Sequence, residues 1–344
     1  MERPSTFVAP AAEADPQKRA LLVLKWFLSA LKQQYYVGRD VKDGIKKPLN
    51  AFLGEVFLAS WSDDSATTKV ISEQVSHHPP ITACYVWNDE HGIRAEGYSR
   101  QETTFSGYVN IKQTGHAILH IDKYDEDYLL PLPDVKAKGF LTGTPYPEIS
   151  GSYHIISSTG FTSEIKFSES GVFSGARNSF DATLYRTDDE SRNPIYTVGG
   201  QWSGKFVFHD PKKGVDIDTY DVQAARPAPI NLPDIADQDL FESRKAWKDV
   251  IEALKKGDMQ ATINAKSKLE NAQRALRRKE AAEGTRWEPV FFSKRKGEHS
   301  LFNKLSASQD IPLNADKTKG VWRFDREKAR KATQPYHGMV TPFG

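Results

Sequence analysis

Two periodicities divide the chain. After Asp15-Pro16, a capping carboxylate followed by proline in the first turn, Leu21, Leu24, Phe27, Leu28 and Leu31 recur at helical spacing. This spacing predicts a core-packing helix over 16–36. From Phe52 to about Val222 the pattern changes to short β-branched and aromatic runs. Lys69 to Ser72, Ile81 to Trp87 and Tyr108 to Lys112 come first. Ile155-Ile156, Ser163 to Phe167, Ala182 to Arg186, Ile195 to Val198 and Phe206 to His209 follow. Turn pairs such as Asn88-Asp89 and His91-Gly92 punctuate them, so these runs read as strands. Many strands without helical patterns between them predict one large antiparallel sheet or barrel over about 50–225.

Outside the strands the expectations are simpler. Met1 to Ala14, with Pro4 and Pro10, is expected to have little structure of its own. Pro227 to Pro233 reads as a linker. Asp239 to Lys255 and Met259 to Glu283 read as two helices around Lys256-Gly257-Asp258, the second highly charged, as on a surface. In the tail from Gly284, Trp287, Phe291, Phe292, Phe302, Trp322 and Phe324 are expected to pack back onto the sheet.

Composition removes several function classes. Over 344 residues the formal net charge is only +2, so no global field points at nucleic acid, and anion recognition must come from local clusters. The single cysteine, Cys84, excludes an internal disulfide or a thiolate metal cage and fits a reducing compartment. No segment reaches the roughly 18 uninterrupted apolar residues of a membrane span. The expected setting is cytosolic, with membrane contact peripheral.

Candidate chemistry concentrates in a few places. In Glu73-Gln74-Val75-Ser76-His77-His78-Pro79-Pro80, the prolines end regular pairing just after two imidazoles. A paired-histidine rim suits an anionic ligand. The two histidines do not suit one metal ion, because neighbours on a strand point to opposite faces, and no third ligand stands nearby. Lys47, held extended by Pro48 and close to Asn50, is either a phosphate donor or a solvated loop lysine. Lys266, Glu270 and Arg274 share one helix face, either as i,i+4 ion pairs or as ligand contacts. Gly199 to Lys205 has the glycine and lysine spacing of a phosphate loop. Phe206 stands where a magnesium-binding hydroxyl belongs, however, and a strand rather than a helix follows. No nucleophile elbow, zinc-protease motif or dinucleotide fingerprint occurs, which fits a binding protein better than an enzyme.

The block Glu73 to Pro80, with Lys46-Lys47-Pro48-Leu49-Asn50-Ala51-Phe52-Leu53-Gly54-Glu55 upstream, resembles the two hallmarks of the oxysterol-binding-protein-related lipid carriers. The resemblance runs from roughly Leu21 to Phe324. It is strongest to short fungal members that consist of the lipid-binding domain alone. It implies a mainly β fold with helices: a large, near-complete antiparallel β-barrel enclosing a lipid tunnel, an N-terminal helix, and a helical and tail region over about 237–344. It implies a phosphoinositide headgroup site at Lys47, the Leu49 backbone, Asn50, His77, His78, Lys266, Glu270 and Arg274. It places Gln34, Tyr35 and Gln113 against a sterol hydroxyl at the tunnel floor, with Ser99 where the nearest relatives have asparagine.

The same resemblance implies a monomeric lipid-transfer protein without cofactor, metal or catalytic residues. Such a carrier exchanges sterol and phosphatidylinositol 4-phosphate between membranes, at Golgi or endoplasmic reticulum contacts. The alternatives are a phosphatidylserine exchanger of the same kind and a phosphoinositide sensor or scaffold that moves little lipid. Such relatives carry a long N-terminal extension that begins with a lid. Residues 1–15 are therefore expected to be a vestigial lid, or the remainder of one whose start lies upstream.

Overall fold

In the computed structural model, which describes residues 1–140, 143–168, 177–297 and 299–344, the chain opens with helices α1 (Pro4–Ala12) and α2 (Pro16–Tyr36). The strands of the first half follow as β1 (Val56–Ser62), β2 (Thr67–His77), β3 (Pro80–Asn88), β4 (Ile93–Phe105), β5 (Val109–Ile121), β6 (Glu126–Leu130), β7 (Val135–Lys138) and β8 (Tyr146–Ile149). Next come β9 (Gly151–Ser157), β10 (Phe161–Phe167), β11 (Ser179–Arg186), β12 (Tyr196–Gln201), β13 (Lys205–Asp210), β14 (Val215–Asp221) and β15 (Ile230–Asn231). Helices α3 (Ser243–Ala246), α4 (Lys248–Lys256) and α5 (Met259–Glu283) precede β16 (Phe292–Arg295), α6 (Ser300–Ser306), β17 (Val321–Phe324) and α7 (Arg326–Lys331).

Strands β1 to β15 form one sheet of 15 strands, with β14 at one end and β15 at the other. All its ladders are antiparallel, and most join sequence neighbours. Its two faces alternate as the pleat requires. Val70, Val86, Leu119, Leu130 and Ile155 belong to one core, while their neighbours Ile71, Tyr85, Ile118, Leu129 and Ile156 belong to cores on the other side. The first core joins Val70 of β2 to Phe208 of β13 and contains α1 and α2, so the sheet curls around the two helices. Helices α3, α4, α5 and α7 and the antiparallel pair β16 and β17 cover the opposite face of β1 to β4, and α6 packs on β5, β6 and β9.

Helix α2 spans the residues its leucine spacing predicts. The Asp15 carboxylate caps it by accepting from the Gln17 N–H at 2.9 Å. A buried ion pair ties it to the wall: Arg19 meets Glu126 of β6, and that carboxylate also accepts from Tyr128, Ser157 and Thr159. At Gly199 to Lys205 the phosphate-loop spacing is indeed a strand turn, from β12 into β13 around the buried Trp202.

Three expectations fail. Residues 1–14 are not structureless: α1 buries Phe7 completely and packs it 5.2 Å from Trp26. Arg3 donates to the Ser29, Val222 and Ala225 carbonyls, and the Ser5 N–H donates to Asp63. The segment thus bridges the β1–β2 and β14 sides of the curled sheet. A nine-residue helix draws its stability from such packing and leaves little local signal. The predicted helix 239–255 instead begins at Ser243 and breaks at Trp247. Asp239 accepts from the Phe241 N–H at 2.8 Å and holds a turn where a helix would start. The linker gives two residues, Ile230–Asn231, to pair with β1.

Candidate functional site

The two sequence blocks meet at one end of the sheet. The Gly54 N–H donates to the Gln74 carbonyl at 2.9 Å, and the Gln74 N–H donates to the Glu55 carbonyl at 2.8 Å. Much of each block is structural. Glu73, fully buried, accepts from the backbone N–H groups of Val290 and Phe291 at 2.7 and 2.9 Å and so pins the tail to β2. Burial pushes its carboxyl up to about 7, against the pull of those hydrogen bonds. Glu55 accepts from the Ser243 hydroxyl at 2.6 Å and the Trp247 indole at 2.9 Å, which fixes α3 and α4. Gly54 has φ +83°, and a Cβ there would lie 2.0 Å from the Trp287 ring.

What these contacts leave over lines a cavity of about 840 Å³ between the β2–β3 turn, α5 and the tail. Asn50, His77, His78, Glu270 and Arg274, five of the eight proposed headgroup positions, are on its wall, together with their neighbours on α5, Gln273, Arg277 and Arg278. Lys294 and Lys319 reach it from β16 and the turn before β17. Five guanidinium or ammonium groups therefore face one carboxylate, Glu270, so the cavity is built for an anion. Among the described residues no cluster of His, Cys, Asp and Glu is placed to hold a metal ion.

His77 and His78 lie edge to face with ring centroids 4.7 Å apart. The expectation that they point to opposite faces fails, because β2 ends at His77 and His78 belongs to the turn. Burial, and next the adjacent His78, push the His77 imidazole below its ordinary value. Both rings remain able to donate hydrogen bonds to an ionised oxygen.

On α5 the charged face forms one ion pair and meets the cavity. Lys266 pairs with Glu270 at 3.0 Å, while Glu270 and Arg274 line the cavity. Lys266 itself lies one turn away from the lining residues. Lys47 and Leu49 sit on the exposed stretch that leads to Asn50, and neither lines the cavity. The sequence reading missed Arg277 and Arg278, which continue the series at i+3 and i+4 from Arg274. Burial lowers the Arg277 guanidinium from its ordinary value, and its carbon stands 5.2 Å from the centroid of Trp287. Trp287 also packs against His337, with ring centroids 4.0 Å apart. Lys294 and Lys319 come from distant segments and had no local signal.

The three floor positions divide. Tyr35 and Gln113 converge on the Pro133 carbonyl at 3.4 and 2.6 Å, and Ser99 donates to Gln113 at 3.1 Å. Burial raises the Tyr35 phenol well above its ordinary value, so it stays protonated. Gln34, one residue earlier on the helix, is exposed and takes no part in this cluster. No helix among the described residues is long and apolar enough to cross a membrane.

Comparison with known proteins places this geometry. The family model described as Oxysterol-binding protein matches residues 2–251 and 248–333. The chain is 56% identical over 345 residues to a probable transporter, efuK, of Hormonema carpetanum, covering 99% of this chain and 49% of that protein. It thus spans about half the length of that relative. It is 39% identical over 296 residues to the protein kes1 of Schizosaccharomyces pombe, covering 85% of this chain and 76% of that one. Two solved structures share the fold. The Osh1 ORD domain in complex with cholesterol has a TM-score of 0.70 at 20% identity, over 95% of this chain and 78% of that one. The Osh3 ORD in complex with PI(4)P, from Saccharomyces cerevisiae, has a TM-score of 0.68 at 18% identity, over 98% and 84%.

Proposed function

The chain belongs to the oxysterol-binding protein family, and on that premise we propose that it carries lipids between membranes, exchanging a sterol for phosphatidylinositol 4-phosphate. The observation that carries this reading is the cationic cavity at the end of the sheet, with His77, His78 and Arg274 on its wall. A phosphate monoester has several ionised oxygens, and guanidinium and imidazole donors satisfy them with charge-assisted hydrogen bonds. Asn50 and Glu270 offer polar contacts to the hydroxyls of an inositol ring. Lys47, the Leu49 backbone and Lys266 close on the headgroup from the rim when it arrives.

The apolar part of either cargo belongs inside the curled sheet. The cluster of Tyr35, Gln113 and Ser99 gives a single sterol hydroxyl its partners there, and Gln34 is not needed for it. Exchange needs no covalent step: each lipid leaves when the other takes the shared interior. The two membranes differ in which lipid they supply. Mass spectrometry of lipids that co-purify with the protein tests this reading. It predicts a sterol and phosphatidylinositol 4-phosphate; phosphatidylserine in place of the sterol would redirect it to the other exchanger class.

A further inference from the structure

A framed opening interrupts the wall of the sheet. Strand β6 pairs with β5 over Ala117–Ile121, but with β9 only at Ile156 and Ser157. On the same edge of β5, β7 takes over at Val109–Ile111. Between these ladders, residues 112–116 of β5 pair only with β4, and residues 151–155 of β9 pair only with β10. The chain crosses the gap once, over residues 131–134. Asp134 anchors the crossing, accepting from the Gln113 N–H at 2.8 Å and donating its own N–H to the Tyr153 hydroxyl at 3.0 Å.

On the outer side Phe302 of α6 and residues of the stretch from Ile311 to Lys317 stand over the gap and line an open pocket of about 440 Å³. Leu129, Leu130, Leu132, Phe302, Ile311 and Pro312 supply its apolar lining, while Gln113, Thr114, Ser152 and Asn314 add polar groups and the exposed Lys112 and Lys317 stand at its rim. Two of its lining residues are imidazoles with an unpaired ring nitrogen. His116 is only 5% exposed, and its Nδ1 has no hydrogen-bond partner. His154, half-buried, likewise leaves Nε2 without one, the nearest carboxylate oxygen of Glu164 being 3.9 Å away. Buried polar atoms are rarely left unpaired, and two at one apolar pocket indicate a missing partner. Burial holds His116 down at about 3, so at neutral pH it offers hydrogen bonds without charge.

We propose that this framed opening is a further ligand site on the outer face of the sheet, distinct from the cationic cavity and meeting the interior cluster only at Gln113, for a small, mostly apolar molecule with one neutral hydrogen-bonding group such as an alcohol. The volume lies within the range of about 300–1,000 Å³ usual for small-molecule sites. A purely apolar ligand would leave both nitrogens unpaired, whereas a neutral hydroxyl pairs with them without bringing a charge against the apolar residues. The site does not depend on the headgroup reading, since it lies on other strands and shares no lining residue with the cationic cavity.

The test uses the full chain labelled at histidine and farnesol as the probe, a neutral isoprenoid alcohol. The imidazole resonances are followed by NMR. The expected result is a saturable shift of His116 and His154 that is lost in Ile311→Trp, where an indole at this half-buried lining position fills the pocket. In His116→Phe, which keeps the ring packing, the His154 shift should need about tenfold more farnesol, the worth of one hydrogen bond. If His116→Phe does not fold, Ile311→Trp decides alone. No saturable shift, or one that persists in Ile311→Trp, overturns the site. Farnesol that moves other resonances and leaves these two unchanged overturns it as well.

Discussion

The Gly54 N–H donates to the Gln74 carbonyl at 2.9 Å, and this bond joins two blocks that lie some twenty positions apart in the sequence. It divides the labour inside each block. Gly54, Glu55, Glu73 and Gln74 are committed to packing and hydrogen bonding, while Asn50, His77 and His78 line the cavity. Gly54→Ala is expected to destabilise the protein by about 1–3 kcal/mol, because alanine is strained at positive φ and its Cβ meets Trp287. Chemical denaturation checks the stability, and headgroup binding should weaken with it as Trp287 shifts. Unchanged stability and binding would contradict the close fit.

Replacing His77 and His78 together with alanine should abolish phosphoinositide extraction while sterol binding stays within about twofold. Each charge-assisted hydrogen bond lost is worth about 1.5–3 kcal/mol, roughly 10- to 150-fold in affinity. Arg277→Met should weaken headgroup binding by at least about tenfold while keeping most of the side chain's packing on Trp287. Equal loss of both lipids in a folded variant would mean that the cavity and the interior are not separate sites.

The buried pair of Arg19 and Glu126 holds α2 to the wall, and Glu126 satisfies three hydroxyls besides. Glu126→Ala leaves a buried guanidinium without its partner, a change that costs about 3–5 kcal/mol. Glu126→Gln keeps the hydroxyl contacts and should cost less. Denaturant unfolding of the two variants would show this order, and an alanine variant as stable as the wild type would contradict it.

Two buried groups give opposite pH dependences. His116 titrates near 6.5 when unfolded and at about 3 when folded, so the folded state binds fewer protons in between. The stability associated with it is fully present above pH 6.5 and is lost as pH falls toward 3. Glu73 is raised from 4.5 to about 7, so its contribution is fully present below pH 4.5 and is lost as pH rises through 7. His116→Phe should therefore flatten the acid side of the stability profile, by at most about 1.4 kcal/mol per pH unit. Glu73→Gln should flatten the side between pH 4.5 and 7. Profiles parallel to the wild type's would remove these groups from the account.

Much of this architecture was legible in the sequence, where local chemistry coincides with tertiary demand. The Asp15 cap and the leucine spacing mark α2, and β-branched runs mark the strands that carry both core faces. The tail aromatics do pack onto the sheet, with Phe291, Phe292 and Trp322 in one core and Phe302 in another. What escaped depends on distant partners. Helix α1 is held by Trp26, Ser29, Val222 and Ala225, and the break at Trp247 goes with an indole that bonds to Glu55. Within the cavity, Arg277 and Arg278 could have been found by extending the α5 series by one turn. Lys294 and Lys319 could not, because only folding brings them there.

Transfer between two liposome populations tests the central claim most directly. One population carries labelled sterol and the other phosphatidylinositol 4-phosphate, and the transport of both lipids is followed with wild type and His77→Ala/His78→Ala. The account predicts that the phosphoinositide in the acceptor membranes accelerates sterol delivery by the wild type, and that the double variant loses this acceleration. Sterol delivery that ignores the phosphoinositide, or tight headgroup binding with no transfer of either lipid, would contradict it.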